Sequence, residues 1–100
     1  MSVTVKIHKK EDRTVIAVCD TPLLGTKIEE NNLILDLTSD FYKGEEHDET
    51  TAGDLIRNAD AVNLVGRTAI RLGIEEGIIE ESNVKKVKGV PYAQAVIVHD

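Results

Sequence analysis

One hundred residues make one folding unit, expected to be a single domain over residues 1–100, large enough to bury most of its unfolded surface without metal or disulfide help. With 41% hydrophobic and 30% charged residues and no apolar run of about 20 residues, the composition excludes a membrane-spanning helix, and a lone Cys19 excludes an intrachain disulfide. The net charge of −6 argues on average against a nucleic-acid partner, yet residues 28–60 carry two basic against ten acidic groups while both ends are slightly basic.

Val3, Val5 and Ile7 alternate with Thr4, Lys6 and His8, the period of a strand with one buried face. The first residues lack a signal peptide's continuous apolar region, and with the single cysteine this sets the expectation of a cytoplasmic protein. After a charged turn from Lys9 to Arg13, residues Thr14 to Cys19 are apolar on both faces from Val15 onward, so a central strand hairpinned to the first is predicted. Asp20-Thr21-Pro22 supplies a cap and a proline for one helical turn that stops at Gly25. Leu33, Leu35 and Leu37 alternate with polar or outward positions, predicting a third strand in the same sheet. Residues 39–50 read as a polar, acidic loop carrying Phe41 and Tyr42. Thr51 to Asp54 resembles a capping box, and Ala52, Leu55, Ile56 and Ala59 continue as a helical stripe.

The chain is organised around residues 60–77. Ala61 to Val65 reads as a short buried strand that turns at Gly66 into the longest helix, whose inward face is Gly66, Ala69, Ile70, Gly73 and Ile74. Glycine inside a helix costs roughly 1 kcal/mol against alanine, so Gly73 implies close approach to a sheet. Gly77 stops the helix, Ser82-Asn83 turns, and Val84 to Val87 and Tyr92 to His99 read as two strands joined through Gly89-Val90-Pro91. The predicted fold is α+β: a two-layer sandwich with a mixed, mostly antiparallel sheet of five to six strands and two main helices on one face.

Several residues admit both a chemical and a structural reading. Cys19 precedes a helix N-terminus, where a thiolate is favoured, but buried structural cysteine is the commoner case. His8, His47 and His99 have no metal-ligand spacing, and the acidic run from Glu45 to Glu49 lacks the alternation of a calcium loop, so no metal and no cofactor are expected. Gly66-Arg67-Thr68 offers amides, a hydroxyl and a guanidinium to an anion at a helix start, without either glycine-rich nucleotide signature. Lys9, Lys10, Arg13, Lys85, Lys86 and Lys88 would form one basic patch if the terminal segments were neighbours, with Tyr92 as a stacking ring for RNA; lysines on a strand also guard an edge against aggregation.

Four phrases in order, Cys19-Asp20 with Leu23-Leu24-Gly25, Phe41 to Glu45, Asn63 to Gly66, and Gly89 to Gln94, resemble the archaeal domain of unknown function 424 over essentially the whole chain. One departure is Tyr92, where members of that family usually carry histidine, which weakens any acid-base mechanism at that position. The resemblance implies an archaeal cytoplasmic α+β protein with no established reaction and a loose grouping with RNA-binding or translation-related proteins. Its polar matched positions, Asp20, Tyr42, Glu45, Asn63 and Gln94, together with Arg67, are the ligand-binding candidates. Two functions follow: a non-enzymatic binding module for RNA or a ribonucleoprotein, or a small enzyme or anion-binding domain with a cleft near Cys19, Asp20, Asn63 and Arg67. A third is a subunit of a larger assembly anchored by Phe41 and Tyr42.

Overall fold

The computed structural model describes residues 2–98. In chain order the strands and α-helices are β1 (Val3–Lys10), β2 (Arg13–Asp20), β3 (Lys27–Glu30), β4 (Leu33–Asp36), β5 (Glu45–His47), α1 (Glu49–Asn58), β6 (Ala61–Val65), α2 (Arg67–Glu75), β7 (Lys85–Val87) and β8 (Val90–Val96). Single 3-10 turns lie at Thr21–Leu23, Asp40–Tyr42 and Glu81–Asn83.

Six strands form one mixed sheet in the order β5-β1-β2-β6-β8-β7, with β2 and β6 parallel and every other pair antiparallel. The parallel pair requires a long crossover, which the chain makes through β3, β4, β5 and α1. Both helices cover one face, as expected of an α+β sandwich. There Val3, Val5, Ile16, Val18, Val62, Leu64 and Ala93 of the sheet meet Ala52 and Ile56 of α1 and Ala69, Ile70 and Leu72 of α2.

Several expectations are corrected. Leu33 to Asp36 does not join the main sheet: it pairs with β3, which the sequence did not reveal, in a separate two-stranded sheet. This ribbon and the residue after it turn Ile28, Leu35 and the fully buried Leu37 onto Cys19 and Val65, closing part of the sheet face opposite the helices, while Leu33 at the ribbon's turn stays 50% exposed. The acidic loop contains edge strand β5, and α1 starts earlier than expected because Asp48, not Thr51, is its cap, its carboxylate accepting from the Thr51 N–H at 2.8 Å. At 10 residues α1 is also longer than α2, which has 9. Finally, the first strand buries Thr4 along with Val3 and Val5 and leaves Ile7 43% exposed, because helix cover reaches only the first half of β1. The last strand begins at Val90, and His99 lies outside the described residues.

Gly73 bears out the close approach. A Cβ there would lie 2.5 Å from Leu64 Cδ1 and 3.1 Å from Ile79 Cδ1, so α2 sits on β6 at a separation only glycine permits. Among the described residues no helix is long and apolar enough to cross a membrane.

Candidate functional site

The parallel strands β2 and β6 end side by side, Cys19 being registered with Val65. Asp20, the last residue of β2, therefore stands beside Gly66 at the start of α2. Its carboxylate does not cap the 3-10 turn that follows it; it caps α2 across the fold, Oδ2 accepting from the Thr68 N–H at 3.0 Å and Oδ1 from the Ala69 N–H at 2.8 Å. Gly66 carries φ of 107°, and its own N–H is held by the Pro91 carbonyl at 2.8 Å. The amides that the sequence offered to an external anion thus already bind an internal one. An N-terminal half-charge of the helix dipole is satisfied by Asp20.

Arg67 points the other way. Its exposed guanidinium stands at the junction of two open clefts. One, of about 400 Å³, is bounded by Asp20, Pro22, Arg67, Lys88 and Pro91. The other, of about 670 Å³, runs between α2 and β7 past Arg67, Arg71, Glu75, Glu81, Lys86 and Pro91. Arg71 is neutralised by Glu49 at 2.6 Å and Glu75 at 3.2 Å. Arg67, Lys86 and Lys88 make no ion pair among the described residues. This trio was not legible as a unit, because Arg67 belongs to a helix and the lysines to an edge strand and its turn, and only the β6-β8-β7 order joins them.

The remaining candidates fall elsewhere. Cys19 is fully buried beside Leu37 and Val65, and burial, with a smaller contribution from the Asp20 charge, pushes its thiol up to about 12. A thiol held protonated is a packing group, not a nucleophile. Asn63 and Gln94 are direct cross-strand partners on the sheet face opposite the helices, the face that also carries Tyr92. Tyr42 and Tyr92 both pack on the satellite core, and burial raises the Tyr42 phenol above its ordinary value, with the neighbouring Cys19 adding to it. Glu45 is exposed on the β5 edge, opposite Val5. Asp20 and Arg67 therefore meet at one cleft, Asn63 and Gln94 meet on the opposite face, and Glu45 joins neither. One pair without any local sequence signal is His8 with Phe41: the rings stack at 4.4 Å and 13°, and His8 Nε2 lies 3.0 Å from the Phe41 carbonyl oxygen. Among the described residues no group of three or more His, Cys, Asp or Glu is placed to hold a metal ion.

The six basic candidates split. β1 is separated from β7 by β2, β6 and β8, and Lys85 is level with Tyr92, Val65, Cys19 and Thr4 across the sheet. Lys9, Lys10 and Arg13 lie at the far end of the β1-β2 hairpin, on the order of 20 Å away both along and across the strands. One continuous patch of all six does not form. Lys86 and Lys88 gain Arg67 instead.

Residues 8–98 match the family described as "Protein of unknown function (DUF424)". The chain belongs to the DUF424 family. The four phrases that carried the resemblance therefore meant what they implied about kinship. A solved structure similar to this DUF424 chain is titled "Crystal structure of an uncharacterized conserved protein from Methanopyrus kandleri", an archaeon; it is 26% identical, with a TM-score of 0.84 over 100% of this chain and 96% of that one. No curated protein matched the chain. Within the DUF424 phrases, Asp20 and Gly66 explain each other structurally: they form the clasp between β2 and α2.

Proposed function

We propose that this DUF424 protein is a non-enzymatic cytoplasmic binding module for RNA or a ribonucleoprotein, with Arg67, Lys86 and Lys88 as its phosphate-contacting groups. The observation that carries this reading is that three exposed cations without ion-pair partners among the described residues line two adjoining open clefts in a chain whose net charge is −6. Exposed cations grouped along a groove bind a phosphate chain by releasing its counterions, without a catalytic group. Pro91 and Pro22 give the clefts rigid apolar walls against which a sugar or base edge can rest. The buried thiol and the Asp20 carboxylate engaged with two amides supply neither nucleophile nor base to the same clefts.

The test is a filter-binding titration of structured and single-stranded RNA across salt, comparing the natural protein with an Arg67→Ala/Lys86→Ala/Lys88→Asn variant. Asn is chosen at 88 because Lys88 has φ of 49°, which Asn tolerates. Affinity that falls with salt, and a variant slope shallower by about 2 in log-log terms, supports the reading. No affinity, or affinity independent of salt, overturns it.

A further inference from the structure

The three edges of the main sheet are not protected alike. β5 ends the sheet with Glu45-Glu46-His47 and β7 ends it with Lys85 and Lys86; both are three residues long and charged, the usual devices against edge-to-edge pairing. β7, however, covers only the first part of β8: its ladder spans Val90 to Tyr92 and stops. From Gln94 to the end of β8 at Val96 no described strand pairs with that side, and the sequence is uncharged from Gly89 to Val98.

Backbone direction fixes which groups this edge presents. The Pro91 carbonyl accepts from the Gly66 N–H at 2.8 Å and the Ile97 N–H donates to the Asp60 carbonyl at 2.8 Å, so odd-numbered residues of this segment turn their backbone groups inward to β6. Gln94 and Val96 consequently turn theirs outward, and Val98, which follows the last bonded residue Ile97, is next in the same alternation. The same residues carry exposed side chains, with Val96 70% and Val98 85% exposed, on the sheet face that the helices leave free. Unpaired outward amides beside exposed valines, with no lysine, proline or bulge to blunt them, form a template for another strand.

We propose that this edge pairs with a second copy of the chain, β8 against β8, antiparallel about a two-fold axis near Val96. The self-complementarity of the segment selects that occupant. With Val96 of one copy facing Val96 of the other, Gln94 faces Val98 in both directions, all outward residues fall into hydrogen-bonded pairs, and no like charges meet. The same operation on β5 or β7 would set Glu against Glu or Lys against Lys. Pairing ends at Gln94, where Ser82 and Asn83 border the edge, which fixes the register. The result is a continuous sheet across the two-fold axis, with Arg67 and the lysines of β7 left accessible in each copy. It stands independently of the RNA reading.

Sedimentation-velocity runs from about 1 to about 500 μM, on the natural chain and on Val96→Lys and Gln94→Pro, test this. Both positions face outward, so neither substitution removes a bond to β6, and unchanged far-UV circular dichroism verifies folding. The expected result is a concentration-dependent dimer whose dissociation constant rises about tenfold or more in each variant, with Gln94 and Val96 amides exchanging more slowly as concentration rises. A natural chain that stays monomeric throughout, including one that only binds a foreign extended peptide, overturns the proposal. So does a dimer that both folded variants retain.

Discussion

Asp20 and Gly66 are in such close contact that a Cβ on Gly66 would lie 2.3 Å from Asp20 Cγ. The contact joins the end of one parallel strand to the first turn of the helix after the other. It places Arg67 at the outer side of that turn, where it lines one cleft with Lys86 and the other with Lys88.

Gly66→Ala should destabilise the fold by about 2–4 kcal/mol, since the new methyl both collides with Asp20 and must adopt a positive φ. Asp20→Ala should cost about 1–3 kcal/mol by leaving the Thr68 and Ala69 amides without their acceptor. Urea unfolding measures both. In the double variant the costs should fall well short of additive, because either change alone breaks the clasp.

Gly73 and Gly53 make a matched contrast. Alanine at 73 would strike Leu64 Cδ1, fully buried in the core, and should cost about 1–3 kcal/mol despite a better helix propensity. At 53 the nearest atom is Glu76 Oε2 at 3.0 Å, the end of a flexible side chain, so Gly53→Ala should be neutral or stabilising by up to about 1 kcal/mol. Equal effects at the two sites in chemical denaturation would contradict the packing described for α2.

The Cys19 thiol, raised from 9.0 to about 12, should resist iodoacetamide in the folded protein at pH 9 and react once urea unfolds it. Because the folded pKa lies above the unfolded one, the thiol's contribution to stability is fully present below pH 9 and is lost as pH rises from there toward 12. Cys19→Ala should remove that part of the alkaline decline. Burial raises Tyr42 in the same direction, so a residual slope of the same sign is expected in the variant.

The two basic groups should separate in RNA binding. Lys9→Ala/Lys10→Ala/Arg13→Ala removes as many cations as the Arg67, Lys86 and Lys88 variant, but from the distant hairpin end. Affinity should fall at least tenfold for the cleft variant and much less for the hairpin variant at about 0.1 M salt. An equal loss in both would mean that net charge, not the cleft, governs binding.

The sequence by itself determined the local elements. The period-2 run of β1, the two-faced apolar run of β2, the glycine-lined face of α2 and the stop at Gly77 all express the short-range sterics of the backbone and the burial of one face or of both. The four phrases also carried the family. Tertiary structure alone decided the partners. Leu33 to Leu37 had the same alternation whether it joined the main sheet or covered its back, since period reports that a face is buried and not against what. Asp20 looked like a cap for the turn beside it and instead caps a helix that starts 47 residues later, because the parallel β2-β6 register brings that helix nearer to its carboxylate. The lysines at the two ends of the chain looked like one patch, and Arg67 looked like part of a phosphate-binding turn. Strand order set the lysines on opposite corners of the sheet and gave Arg67 to one of them, a choice made by long-range pairing that no local pattern records.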